Sequence, residues 1–80
     1  MTDQHHFDRL RRNCSATLKQ FITDAQTTER YMHGLGLPVG VQEFHQLMTK
    51  RQAEYAACHE YLVASQHLVD FLKQQLQYIQ

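Results

Sequence analysis

Six histidines and two cysteines are the side chains of this chain best suited to chemistry, so their spacing is the first question. A helical metal site uses two ligands four residues apart on one face, or a Glu-x-x-His pair as in di-iron bundles. The histidines offer neither. His5 and His6 are adjacent, His33 and His45 flank the glycine-rich stretch, and His59 and His67 are eight apart. Glu29 and His33 stand four apart, a spacing that serves a helix-surface contact as well as a ligand pair. Cys14 and Cys58 belong to no Cys-x-x-Cys motif and show no obvious cationic activator of a thiol. Both fall at apolar positions of the helical pattern described below and read as small buried hydrophobes, with an oxidisable pair as the sharper alternative.

Ser15 and Ser65 have no nucleophile motif around them. The segment MHGLGLPVGVQEF, residues 32–44, holds all three glycines and the one proline. It is not a phosphate loop, because it lacks the Lys-Ser/Thr pair and follows a helical segment instead of a strand. These residues predict a non-enzymatic protein with no cofactor and no metal site. The alternative is a histidine-based metal- or pH-responsive sensor module using His33, His45 or His59. Six imidazoles titrating near ~6.5 would make the charge of an otherwise balanced chain sensitive to pH.

Charge excludes a further class. Eight Lys/Arg balance eight Asp/Glu over 80 residues. Arg9, Arg11 and Arg12 form the only basic cluster, and Asp3 and Asp8 flank it, which fits a solvated helix face. No nucleic-acid partner is expected. No apolar run approaches the roughly 18–20 residues of a membrane span, and MTDQHHFDRLRRN carries no apolar signal-peptide core. The expectation is a cytoplasmic protein, outside the membrane, with reduced thiols.

Helices must position these residues. Phe7, Leu10, Cys14, Leu18, Phe21, Ala25, Thr28 and Met32 recur in steps of three and four, one stripe on a helix from about residue 3 to residue 33. Thr2 or Asp3 is its expected N-cap. Gly34 is its expected stop in the left-handed conformation, with Leu35 folding back. A second helix, about residues 41–79, carries a longer signal. Val41, Phe44, Met48, Arg51, Tyr55, Cys58, Leu62, Ser65, Val69, Leu72, Leu76 and Ile79 keep strict three-four spacing, the 3.5-residue period of coiled-coil packing. Pro38 suits its first turn; alternatively Gly40 is the cap, with Glu43 as half of a capping box. Residues 34–40 are then a hinge whose apolar end Leu35, Leu37 and Val39 close.

The chain therefore reads as a single all-α domain over residues 1–80, an antiparallel two-helix hairpin. With facing residue numbers adding to about 72–75, Cys14 falls near Cys58 or Tyr61. Arg51, the charged misfit of the stripe, falls near Asp24, and a buried Asp24–Arg51 ion pair is expected.

The second helix has a further apolar stripe one residue earlier: Ala57, Tyr61, Ala64, Leu68, Phe71 and Tyr78. One partner helix cannot cover so wide an arc, and uncovered apolar patches mark association surfaces. The expected interface is Tyr61, Ala64, Leu68, Phe71 and Tyr78. It extends to Leu72, Leu76 and Ile79 where the end of the second helix, VDFLKQQLQYIQ, overhangs the first. The expected partners are a second copy, giving a homodimer and four-helix bundle, and then a helical protein client. The shape is similar to small helical-hairpin secretion substrates and to hairpin co-chaperones and needle subunits of bacterial secretion systems. The Trp-x-Gly turn of the first group is absent here, since the chain has no tryptophan.

Overall fold

A computed structural model describes residues 2–79 of the protein, with side-chain surroundings for residues 3–76. Helix α1 (Thr2–His33) and helix α2 (Val41–Ile79) fold back on each other into a rod of 61 × 18 × 15 Å.

The hinge is made by the residues that end helices. Gly34 N–H donates to the carbonyls of Arg30 (3.1 Å) and Tyr31 (3.2 Å), and Leu35 N–H donates to Met32 (3.2 Å). The bonds to Tyr31 and Met32 span three residues and tighten the last turn, and all three satisfy carbonyls that a helix end leaves open. Gly34 has no positive φ, so the left-handed cap expected of it is not used. Gly40 is the cap of α2. Its carbonyl accepts from Phe44 N–H at 3.0 Å, and its own N–H donates to Glu43 Oε1 at 3.1 Å, the reciprocal half of a capping box. Pro38 lies before that cap and not in the first helical turn. Thr2 and Asp3 both lie inside the first turn of α1 instead of ahead of it, where Asp3 favours the positive end of the helix dipole.

Two cross-helix contacts fix the register. The Thr28 hydroxyl reaches the Lys50 carbonyl at 3.3 Å, and the Phe7 and Phe71 rings stack with centroids 5.8 Å apart. The numbers of both pairs add to 78, a few residues beyond the expected register. In this alignment the first turn of α2, not its tail, projects past its neighbour. His33, the last residue of α1, stands level with His45, so Val41 and Phe44 have no helix beside them and are 88% and 57% exposed. The tail expected to overhang is flanked by the start of α1, as the Phe7–Phe71 stack shows. Tyr31 braces the projecting turn: its hydroxyl lies 3.1 Å from the Glu43 carbonyl and 3.2 Å from Gln46 Oε1, and Lys50 Nζ sits 5.1 Å over its ring. Leu35 is half-buried there, whereas Leu37 is 93% exposed and closes nothing.

The seam follows the register. On α1 the positions at the seam, all buried or half-buried, are Phe7, Leu10, Cys14, Thr17, Phe21, Asp24, Thr28 and Tyr31. On α2 they are Leu47, Lys50, Glu54, Ala57, Tyr61, Ala64, Leu68 and Phe71. Each list runs in three-four steps, and the register pairs them end to end. It sets Ala57 opposite Phe21 and Ala64 opposite Cys14, so small residues on α2 receive larger ones from α1. Small side chains let the axes approach. That approach is what brings a threonine hydroxyl within reach of a neighbouring backbone carbonyl. Thr28 is fully buried, and Ala64 and Ala57 are the other buried residues among those described.

Candidate association surface

The apolar residues of α2 divide between two faces. The stripe one residue early, expected to face outward, lies against α1. Ala64 is 2% exposed, Tyr61 and Leu68 are half-buried, and Phe71 stacks on Phe7 and meets the His6 ring edge-on at 5.2 Å. The strict 3.5-residue stripe, expected to face α1, is the outer one. Val41, Phe44, Met48, Tyr55, Leu62, Val69, Leu72 and Leu76 are all exposed, with Leu62 at 58% only two residues from buried Ala64. Four of the eight expected interface residues, Tyr61, Ala64, Leu68 and Phe71, therefore belong to the seam within the hairpin. Leu72 and Leu76 remain on the outer surface. The side chains of Tyr78 and Ile79 lie outside the described residues.

The cause of the exchange is steric. At the middle of the seam Phe21 faces Ala57 and Cys14 faces Ala64, a close approach that leaves no room there for the Tyr55 and Leu62 of the strict stripe. Sequence reasoning weighted the regular period and assigned Ala57 and Ala64, seven residues apart, to the outward stripe instead of the seam. Small residues at heptad spacing mark a close approach, and that was the available signal.

Arg51 shows what the outer stripe does with its one charge. Its Nη1 lies 3.0 Å from Glu54 Oε1, an ion pair within α2, and its Nη2 lies 3.5 Å from Met32 Sδ on α1. Asp24 is not its partner. The register sets Asp24 level with Glu54, beyond Arg51, and the Asp24 carboxylate instead accepts from Gln20 Nε2 at 3.1 Å. The Arg51 charge is thus neutralised locally at the edge of an otherwise uncharged stripe.

The Arg51–Met32 contact also identifies the side of the hairpin on which the stripe lies. Met32, Ala25, Ile22 and Leu18 follow one another on α1 at helical spacing, and Leu18 and Ile22 are exposed at 37% and 45%. They widen the stripe into one apolar face shared by both helices. The opposite side carries an open depression lined by Asn13, Thr17, His59, Glu60, Val63, Ala64 and His67.

The chemistry-bearing residues are dispersed. Cys14 and Cys58 are both free and half-buried. The register puts Cys14 level with Ala64, about 9 Å along the axis from Cys58 at ~1.5 Å per residue, so they are not bonding neighbours. His33 Nε2 lies 3.8 Å from Glu29 Oε2 on the exposed surface. His45, level with His33, is exposed, as are His59 and His67. Among the described residues no three His, Cys, Asp or Glu side chains converge as metal ligands. Arg11 lies 5.0 Å over the Phe7 ring beside Arg12 and Lys19 on an open face of α1. Among the described residues no helix is long and apolar enough to cross a membrane. No protein-family model, curated protein or solved structure matches the chain.

Proposed function

We propose that the protein works by protein–protein association. The outer stripe of α2 is the contact surface, first for a second copy in a four-helix bundle and then for a helical client. The observation that carries this reading is the exposure of Val41, Phe44, Met48, Tyr55, Leu62, Val69, Leu72 and Leu76 at coiled-coil spacing. Monomeric soluble proteins rarely leave so long an apolar strip uncovered. The near-absence of fully buried side chains within the hairpin supports the same reading, because a chain of this size is marginally stable without a further staple. The revised contact residues are Tyr55, Leu62, Val69, Leu72 and Leu76, with Leu18 and Ile22 of α1 at the margin.

Light scattering after gel filtration tests it under reducing conditions. The wild-type chain should run above its 9.5 kDa monomer mass. Leu62→Lys/Val69→Lys should run at the monomer mass while far-ultraviolet circular dichroism still reports helix. An unchanged mass in the double variant would remove the outer stripe from the interface.

A further inference from the structure

Resting on the association reading, we infer that the stripe is occupied by a second copy of the chain laid antiparallel, α2 along α2, about a two-fold axis that passes the stripe between Cys58 and Leu62. Four observations lead there. The first is area. The eight exposed stripe residues present on the order of 800 Å² per copy, the share each partner contributes to a standard stable interface. A second copy supplies the same area from the same strip.

The second is length and pitch. The stripe runs the length of α2, 39 residues. An unbroken 3.5-residue repeat meets its match in a helix with the same repeat and the same length. The second copy has both by construction.

The third is charge. Arg51 is the only charged residue of the stripe. Parallel pairing would set Arg51 against the same residue of the second copy, two guanidiniums at one level of an apolar seam, an arrangement that costs several kcal/mol when desolvated. Antiparallel pairing sets Arg51 opposite Val69 and keeps the two arginines roughly 27 Å apart along the axis at ~1.5 Å per residue. Each stays beside its own Glu54.

The fourth is register. Phe44 with Leu76, Met48 with Leu72, Arg51 with Val69, Tyr55 with Ser65, and Cys58 with Leu62 all have numbers adding to 120. In that one antiparallel register every stripe position meets another stripe position, and sliding by a heptad strands residues at both ends. Bulk also alternates sensibly: Tyr55 falls against Ser65, and Leu62 against Cys58.

Thiol mapping tests the pairing. In a Cys14→Ser/Cys58→Ser background, Phe44→Cys and Leu76→Cys are introduced together. These positions are 32 residues apart on one helix, roughly 48 Å at ~1.5 Å per residue, so a bond between them cannot form within one chain. Mild oxidation should give a covalent dimer of twice the 9.5 kDa monomer mass. Peptide mapping should join position 44 of one copy to position 76 of the other. Met48→Cys/Leu72→Cys repeats the test at an inner layer should the outer pair disturb folding. Bonds joining like positions, 44 to 44 and 76 to 76, overturn the antiparallel pairing but leave self-association standing. A chain that stays at 9.5 kDa and forms no intermolecular bond overturns the second copy as occupant, leaving the stripe to a different helical protein.

Discussion

Arg51 is held by Glu54, one turn along its own helix, and the two side chains are 28% and 13% exposed. Short reach decides this pairing: residues three apart on a helix are neighbours whatever the opposite helix does. Glu54→Gln removes the only carboxylate within reach and should lower stability by about 0.5–1 kcal/mol, the upper part of the range for partly exposed pairs. Asp24→Asn keeps the hydrogen bond to Gln20 available and should stay within about 0.5 kcal/mol of wild type. Urea denaturation of the two variants compares them directly. Equal losses would show that Arg51 is shared with Asp24 in solution.

At the scale of the helices, Gly34 and Gly40 bracket the hinge and the capping box sets where α2 begins. Glu43→Ala would leave the Gly40 N–H without its carboxylate and should cost about 1 kcal/mol, a fall of roughly 4–8 °C in melting temperature for a domain of this size. The Tyr31 contact to the Glu43 carbonyl survives that change, so a much larger loss would mean that the carboxylate has a second role. These boundaries were legible in the sequence because glycine and a Glu three residues beyond it are local signals. The α1 stripe was legible in part: Phe7, Leu10, Cys14, Phe21 and Thr28 lie at the seam as expected, whereas Leu18, Ala25 and Met32 give way there to Thr17, Asp24 and Tyr31 and turn toward the outer face. The inner face of α2 was not legible. Its two stripes lie one residue apart, and the choice between them depends on how closely two axes approach, which is set by pairs such as Phe21 with Ala57. No window along one helix contains that information. The few-residue change of register also moved Asp24 away from Arg51 and Cys14 away from Cys58. The change of register accounts for the misplaced ion pair and the displaced cysteines, and the close approach of the axes for the exchange of interface residues.

For the whole molecule, folding and association are coupled in this account. Two helices of 32 and 39 residues bury only Thr28, Ala57 and Ala64 among the described residues and leave one apolar face uncovered. Most helical stability comes from burying an amphipathic face, so the partner that covers the stripe supplies part of what holds the hairpin together. The most direct measurement is the melting temperature of the wild-type chain over a hundredfold range of protein concentration, under reducing conditions. Mass action on a folded state that exists as a complex is worth about 2.7 kcal/mol over that range, so the midpoint should rise by on the order of ten degrees. A midpoint that does not move across the range would contradict the account, because it would mean that the hairpin is stable with its outer stripe bare.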